Sequence, residues 1–475
     1  MVSDSGSNDT LMGLSELSLC LGGQLLSFGK NQREAGFSSV TVDSRAAPEG
    51  SLFVALSGSN CDGHSFVEAA FKNGAAAAIV ERQKLEIFKL PEIAGRLGKT
   101  LIAVDNSLEG LQKAAGAYLK KFPGLLKIAI TGSSGKTTTK EITAKIIGIE
   151  KRVKMNPGNF NSEIGLPLSV FNLRPGDEVG VFEMGMNRAG EIAELASVLN
   201  PDIALITNIG SSHIGILGSM DAIAKEKKNI FSEFNGNGVA LIPADSPYRD
   251  YLAQGVRGRV SFYGAGSFAE FGGVRELGID GSEIIWDGKQ VRFALPGKHN
   301  LANAFAAIAI AREIPVGSNA VRLGLESVKP LFGRGEIIRG KATVIQDCYN
   351  SNPESLAVAL EFCESLDWPG RRAYIIGDML ELGADSEKAH EEIGHLLSGS
   401  RADMIFLYGK ETEAAVKTLG GRRFFHTCSI SDLTAAVDGY IQEGDLVLLK
   451  GSRGCALERV FGGSCGKGHD SEGGI

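Results

Sequence analysis

A glycine-rich segment followed by lysine and threonine has the residue types and spacing of a phosphate-binding loop. It reads Thr-Gly-Ser-Ser-Gly-Lys-Thr-Thr over 131–138, between an apolar run at 127–130 and a helix-compatible stretch at 136–147. The order strand, glycine loop, helix lets backbone N–H groups point at a polyphosphate. Lys136 would reach the outer phosphates, and the Thr137 hydroxyl can ligate Mg²⁺. The predicted nucleotide-binding residues of this loop are Thr131, Gly132, Ser133, Ser134, Gly135, Lys136, Thr137 and Thr138.

A glutamate and a histidine follow two other apolar strands and are candidate metal ligands. Glu183 ends the predicted strand at 178–183, and His213 follows the one at 202–206. Ligands of doubly wound sheets lie beyond the carboxyl ends of the strands, so both side chains can meet Mg²⁺ near the phosphates. Taken singly, Glu183 could be a salt-bridged surface acid and His213 a histidine that caps a turn. Their joint placement around one phosphate loop favours a metal site that also includes Thr137.

Polar and basic residues on other loops are candidates for substrate binding. Asn159 and Asn161 lie in a polar loop where their amides can bind substrate or cap the next helix, and the sequence leaves both alternatives open. Arg334, Lys450 and Arg453 lie on glycine-containing loops. Arginine suits two-pronged binding of carboxylate or phosphate, although a solvated loop is an equal alternative at each position.

Length and composition limit the kinds of protein to which this chain can belong. The 475 residues suggest about three domains, and 43% hydrophobic with 22% charged residues is ordinary for a soluble globular protein. A net charge of −7 argues against non-specific nucleic-acid binding. The seven cysteines are scattered, which predicts free thiols in a reducing compartment. No apolar run approaches the roughly 18–20 residues of a membrane span, and we therefore expect a cytoplasmic protein without membrane contact.

The order of predicted strands and helices indicates three α/β domains. They cover residues 1–105, 106–314 and 315–475. The first is a small α/β domain in which the turn at 48–50 is expected to connect a hairpin. The second alternates strands and helices, which predicts a parallel sheet covered on both faces, followed by a β-rich insert at 257–295. The third is a second doubly wound domain, with a disordered tail from about 462.

Several segments together resemble the Mur ligases over about residues 40–458. The segments that carry the resemblance are 42–45, 62–64, 131–140, 158–161, 183–185, 190–192, 207–213, 296–300, 349–353, 377–383 and 450–453. The Tyr-Asn-Ser-Asn-Pro segment at 349–353 and the Gly-Asp-Met-Leu-Glu-Leu-Gly segment at 377–383 look specific to the branch that adds D-alanyl-D-alanine. The phosphate loop is shared by all Mur ligases and by folylpolyglutamate synthetase.

The resemblance implies a reaction as well as a fold. A UDP-binding N-terminal domain, a central ATPase domain and a C-terminal Rossmann-like domain would act together. They would join D-alanyl-D-alanine to UDP-N-acetylmuramoyl-tripeptide in peptidoglycan precursor synthesis, through an acyl phosphate made from ATP. These two substrates are the expected partners of a monomeric enzyme. The alternatives are another Mur or folylpolyglutamate-type ligase, or a regulatory ATPase that ligates nothing.

The resemblance also implies roles for single residues. Lys136 would hold phosphate, Thr137 and Glu183 a first Mg²⁺, and His213 a second Mg²⁺. Lys227 would be carbamylated to serve that second ion, although its charged surroundings at 224–229 are by composition typical of a solvated helix face. Lys136, His213 and Lys227 are the expected catalytic residues.

Roles outside the metal site follow from the same resemblance. The residues assigned in this way are Asn303 at the adenine, Arg334 and Asp347 at the nucleotide, Ser44 and Arg45 at the UDP-sugar, and Lys450 and Arg453 at the peptide or dipeptide. Departures from the family pattern occur at Gln346 and Cys348, which flank Asp347, and at Asn229, which leaves Lys225 and Lys228 as rivals of Lys227.

Overall fold

The computed structural model describes residues 10–29, 35–58 and 61–464. Most of the tail predicted to be disordered, residues 465–475, lies outside the described residues, and a 3₁₀ helix spans Leu457–Ser464 just before it. No helix within the described ranges is both long and apolar enough to cross a bilayer.

The N-terminal region folds around a five-stranded sheet in the order β2-β7-β6-β5-β4. Its elements are β1 (Met12–Gly13), α1 (Leu14–Leu21), β2 (Gln24–Ser27), β3 (Gly36–Phe37), β4 (Val40–Thr41), β5 (Leu52–Val54), α2 (Val67–Asn73), β6 (Ala77–Glu81), α3 (Leu90–Leu97), β7 (Thr100–Val104) and α4 (Ser107–Leu119). The predicted hairpin at 48–50 is wrong, because β4 and β5 pair in parallel. A 3₁₀ turn at Ser44–Ala46 carries the chain back, so that both strands start from the same end.

The central region contains a six-stranded parallel sheet in the order β13-β12-β11-β8-β10-β9. Its elements are β8 (Leu126–Thr131), α5 (Lys136–Ile147), β9 (Val153–Met155), α6 (Gly165–Val170), β10 (Val179–Glu183), α7 (Glu191–Leu199), β11 (Ile203–Ile206), α8 (Ile214–Leu217), α9 (Met220–Lys228), β12 (Gly238–Pro243), α10 (Arg249–Ala253) and β13 (Gly258–Tyr263). A fully buried apolar strand such as β11 is typical of a parallel sheet with helices on both faces.

An antiparallel insert and two packing helices complete the central region. They are β14 (Phe271–Glu276), β15 (Ser282–Trp286), β16 (Lys289–Phe293), α11 (Lys298–Arg312) and α12 (Ser318–Glu326). Asp287 and Gly288 both have positive φ and form the two-residue turn between β15 and β16. The predicted β-rich insert is nevertheless too long, because β13 joins the parallel sheet through β12.

The C-terminal region contains a second six-stranded sheet in the order β17-β18-β22-β19-β20-β21. Its elements are β17 (Glu336–Arg339), β18 (Thr343–Asp347), α13 (Pro353–Ser365), β19 (Arg372–Gly377), α14 (Ser386–Ser398), β20 (Met404–Tyr408), α15 (Glu413–Val416), β21 (Phe424–Thr427), α16 (Ile430–Tyr440) and β22 (Leu446–Lys450). All its pairings are parallel except that of the edge strand β17 with β18. The doubly wound prediction holds for this region.

The helix that follows the phosphate loop is clamped by two others. Both α11 and α12 pack against α5. Gly324 of α12 lies so close that a Cβ there would be 2.4 Å from the Cα of Ile146. This contact between helix backbones fixes the direction in which the first turn of α5 points.

Replacing Gly324 with alanine should therefore destabilise the protein. We expect a loss of about 1–3 kcal/mol, since Ile146 backbone atoms must move to admit the methyl group. The control is Gly116→Ala in α4, where a Cβ would lie an ordinary 3.7 Å from the carbonyl oxygen of Val198. The control should be neutral or stabilising by up to about 1 kcal/mol. Urea unfolding of both variants measures the difference, and equal stabilities would contradict the packing argument.

Candidate active site

The strand order brings three loops together at one edge of the central sheet. Strand β8 lies between β11 and β10, and the chain leaves it through the predicted phosphate loop. Glu183 pairs with Ile130 at the end of β10, and Ile206 pairs with Thr131 at the end of β11. Because parallel strands end at the same edge, the glutamate and the loop before His213 flank the phosphate loop on opposite sides.

The two loop glycines are required by close neighbours. A Cβ on Gly132 would lie 1.8 Å from Oγ1 of Thr207, and one on Gly135 would lie 2.2 Å from Oδ1 of Asn303. Gly135 also has a φ of +77° as the N-cap of α5, a conformation that disfavours other residues. Within the part of the chain that the structure describes, no side chain caps the first turn of α5. Its N–H groups are therefore available to an anion, as the sequence predicts.

The serines of the loop hold its shape through the segment after β11. Ser133 Oγ accepts from the Gly210 N–H at 2.8 Å and lies 2.9 Å from the Gly210 carbonyl oxygen. The Ser134 N–H donates to Asn208 Oδ1 at 2.9 Å, and Thr207 Oγ1 donates to the Ser134 carbonyl at 2.6 Å. Both serines therefore help to fix the conformation of the phosphate loop through hydrogen bonds to the segment after β11.

Glu183 is held as a buried acid by three residues. Its Oε2 accepts from Thr137 Oγ1 at 2.7 Å, and its Oε1 accepts from Asn161 Nδ2 at 2.6 Å. Its backbone N–H donates to Asn156 Oδ1 at 2.9 Å. Thr137 and Glu183 thus lie together as predicted. The Asn161 amide contacts this carboxylate, whereas Asn159 is exposed at the surface of the same loop.

Two lysines, the buried Lys227 and the partly buried Lys136, converge on one backbone oxygen of the phosphate loop. The carbonyl of Gly132 accepts from Lys136 Nζ at 2.8 Å and from Lys227 Nζ at 3.0 Å. Burial lowers the pKa of the Lys136 ammonium. Burial, with the nearby charge of Lys136, holds the pKa of Lys227 well below its ordinary value. This crowding favours the neutral form of the Lys227 amine and leaves Lys136 as the cation that suits a polyanionic ligand.

The structure distinguishes Lys227 from its two rivals. Lys225 is exposed, and Lys228 Nζ donates to the Tyr251 carbonyl at 2.6 Å. The composition of residues 224–229 predicts a solvated helix face. That prediction is wrong for Lys227, which is only 1% exposed.

The neighbouring Glu226 orients this part of α9. Its carboxylate accepts from the N–H groups of Gly190 and Ile192, both at 2.9 Å, and so caps the start of α7. Asn229, where the family usually has glutamate, donates to the same carboxylate at 3.2 Å.

His213 faces the same pocket in a strained conformation. Its φ is +66°, and its Nδ1 is buried without a hydrogen-bond partner among the described residues. Oε2 of Glu381 lies 3.3 Å away but is not aligned as an acceptor. Burial and the charges of Lys136 and Lys227 lower the pKa of His213 to about 4. The imidazole is therefore neutral at neutral pH, which is the form that ligates metals.

These side chains fit Mg²⁺ bound together with phosphates. Within the described ranges, no three His, Cys, Asp or Glu side chains cluster tightly enough to hold a metal by themselves. Mg²⁺ at nucleotide sites commonly takes one or two protein ligands, with phosphates and water supplying the rest. The unpartnered His213 nitrogen and the Thr137–Glu183 pair match that requirement.

Three predicted nucleotide contacts lie near the loop or on the facing C-terminal region. Asn303 is buried beneath Gly135, and its Oδ1 lies 3.4 Å from Oγ1 of Thr139. The guanidinium of Arg334 stacks 4.0 Å from the ring of Tyr349. Asp347 Oδ2 lies 3.0 Å from Lys450 Nζ.

The predicted substrate residues occupy different environments. Lys450 is almost fully buried and also donates to the Asn350 carbonyl at 2.8 Å, so its ammonium holds the loop after β18. Arg453 is half exposed and pairs with Glu458 at 2.5 Å. Ser44 is buried, while the exposed Arg45 pairs with its neighbour Asp43 at 2.7 Å.

Besides Lys227, a further buried lysine near the phosphate loop was missed by sequence reasoning. Lys140 Nζ donates to the Asn156 carbonyl at 2.7 Å and lies 4.0 Å from Glu183 Oε2. It sits one helical turn after Lys136, on the face that packs towards Glu183. That spacing within α5 is the signal that could have identified it.

Comparison with known proteins identifies the family. Residues 37–118 match the Mur ligase family catalytic domain, 130–311 the Mur ligase middle domain and 333–453 the Mur ligase glutamate ligase domain. The UDP-N-acetylmuramoyl-tripeptide–D-alanyl-D-alanine ligase of Treponema pallidum (strain Nichols) is 42% identical over 429 residues, covering 90% of this chain and 93% of that protein. The chain belongs to the Mur ligase family.

Solved Mur ligases share the architecture. MurF from Acinetobacter baumannii superposes with a TM-score of 0.84 at 26% identity, covering 94% of this chain and 97% of that one. MurF from Thermotoga maritima, solved in complex with ADP, superposes with a TM-score of 0.76 at 29% identity, covering 89% of this chain and 96% of that one. The sequence resemblance to Mur ligases and the α/β fold class are confirmed.

The lowered pKa of His213 predicts a pH-dependent contribution to stability. The unfolded imidazole takes up a proton near pH 6.5 and the folded one near pH 4. The contribution is therefore present above pH 6.5 and is lost as the pH falls towards 4, with a full size on the order of 3 kcal/mol. His213→Asn is the comparison, because asparagine tolerates positive φ. Urea unfolding without nucleotide should show a weaker loss on acidification for the variant; identical pH dependence would contradict the burial of a neutral imidazole.

Proposed function

We propose that this Mur ligase joins D-alanyl-D-alanine to UDP-N-acetylmuramoyl-tripeptide with the consumption of ATP. The supporting observation is the match to ligases of that name along nearly the whole chain, at 42% identity in Treponema pallidum and 37% in Bacillus subtilis (strain 168). The match includes the regions before and after the central nucleotide domain, which would bind the two substrates.

The chemistry that the resemblance to Mur ligases implies fits the charges around the phosphate loop. An oxygen of the tripeptide carboxylate attacks the γ-phosphorus of ATP, ADP leaves, and an acyl phosphate forms. The amine of D-alanyl-D-alanine then attacks the acyl carbon, the C–O bond to phosphate breaks, and the amine loses a proton. Lys136 offsets the repulsion between carboxylate and phosphates and stabilises charge that develops during transfer.

Two Mg²⁺ ions would be held by residues that the structure places beside the loop. Thr137 and Glu183 would hold one, and His213 with a carbamylated Lys227 the other. Bound Mg²⁺ supplies neutralisation of the phosphate charge. The low pKa of the Lys227 amine supports its carbamylation, because only a neutral amine can attack CO₂ and release a proton to give the carbamate.

Lys227→Ala should lose activity by about a hundredfold and regain part of it with added formate, acetate or propionate, which can replace the carbamate. Lys225→Ala and Lys228→Ala are matched controls from the same helix and should remain active. Initial rates of phosphate release measure all three. An inactive Lys228→Ala variant beside an active Lys227→Ala variant would show that Lys228, and not Lys227, has this role.

The assay for the reaction is phosphate release from ATP and Mg²⁺ with UDP-N-acetylmuramoyl-tripeptide, with and without D-alanyl-D-alanine. We expect release only with both substrates, together with the UDP-linked pentapeptide by mass spectrometry. Lys136→Ala, folded but inactive, controls for contaminating ATPase. Release that follows a different amine or acceptor would indicate another ligase of the superfamily, and release without any acceptor would indicate a regulatory ATPase.

A further inference from the structure

The start of helix α13 in the C-terminal region contacts the loop that supports the phosphate-binding segment. Asn352 Nδ2 donates to Ser212 Oγ, and both residues are at least nine-tenths buried. The Glu354 carboxylate accepts from the Ser211 N–H at 2.7 Å and from Ser211 Oγ at 2.5 Å. Two adjacent residues of the central region are thus held by two residues of one helical turn.

The contacts continue into the phosphate loop. Ser212 Oγ, which accepts from Asn352, donates to the Ser133 carbonyl at 3.1 Å. Ser133 in turn is bonded to Gly210 through its hydroxyl. A continuous line of hydrogen bonds therefore runs from α13 to the backbone that would surround the phosphates.

The side-chain amide of Asn352 has both an acceptor and a donor, so it can cap α13 and contact Ser212 at the same time. Its Oδ1 accepts from the Ser355 N–H at 2.7 Å and caps α13, while its amide nitrogen is left to reach Ser212. Aspartate and serine also cap helices well, but aspartate lacks the donor and serine lacks the length. The cap and the contact between regions can therefore be separated by substitution.

We infer that Asn352 and Glu354 are positioning residues through which docking of the C-terminal region sets the shape of the phosphate loop. Their loss would remove the acceptor of Ser211 and the donor to Ser212, and would leave the loop less organised before nucleotide binds. A less organised loop binds nucleotide more weakly. The importance of this for ligation rests on the proposed function, whereas the effect on nucleotide binding does not.

The test measures the affinity of the full chain for ADP with Mg²⁺ by calorimetry. Asn352→Ser retains a cap and cannot reach Ser212, and should raise the Kd about threefold to tenfold. Asn106→Ser is the matched control, because Asn106 caps α4 through the Glu109 N–H and should leave the Kd unchanged. Glu354→Ala should also raise the Kd, and the exposed Glu361→Ala on the same helix should not.

A double-mutant cycle separates positioning from general destabilisation. Ser212→Ala combined with Asn352→Ser should weaken ADP binding no more than Ser212→Ala alone, because the serine change already removes the bond to Asn352. A cycle in which the two effects multiply, or an Asn352→Ser variant with a lower melting temperature but an unchanged Kd, would overturn the inference. If the cycle shows this coupling in ADP binding but the wild-type protein makes no pentapeptide, the proposed function is wrong and the inference about positioning stands.

Discussion

The shared carbonyl of Gly132 is the interaction on which the arrangement of the active site depends. Lys136 and Lys227 both donate to it, and burial lowers the pKa of each ammonium. Two ammonium groups held so close together away from water are unfavourable, which favours the neutral form of the Lys227 amine. The uncapped first turn of α5 adds further positive potential at the same place. A polyphosphate satisfies Lys136 and this helix terminus, while the neutral Lys227 amine stays able to form the carbamate proposed above.

The strands and helices around that pocket hold its residues in position. Placing β8 between β10 and β11 brings Glu183 and the segment before His213 to opposite sides of the loop. Helices α11 and α12 fix α5 from outside the sheet. The C-terminal region reaches the same loop through Asn352 and Glu354. The C-terminal region and the segment that supports the phosphate loop are therefore joined by direct contacts.

The sequence predicts the central features because they are local. The phosphate loop and the bounds of α5 follow from glycines, threonines and helical spacing within 20 residues or so. Lys227 could be chosen only by resemblance, since its burial results from packing of α9 against a distant loop. The parallel pairing of β4 with β5 was also missed, because a short 3₁₀ crossover and a hairpin look alike in composition. Lys450 was assigned to substrate, yet its ammonium is enclosed by Asp347 and Asn350, which only the tertiary structure reveals.

The measurement that tests the central claim most directly follows an oxygen atom. UDP-N-acetylmuramoyl-tripeptide is labelled with ¹⁸O in its reacting carboxylate and turned over with ATP, Mg²⁺ and D-alanyl-D-alanine. If the pocket brings that carboxylate to the γ-phosphate, one labelled oxygen passes into the released phosphate, because the bond broken by the amine is the acyl C–O bond. Unlabelled phosphate, formed alongside pentapeptide, would mean that the carboxylate oxygen leaves by a route other than an acyl phosphate, and would contradict the account.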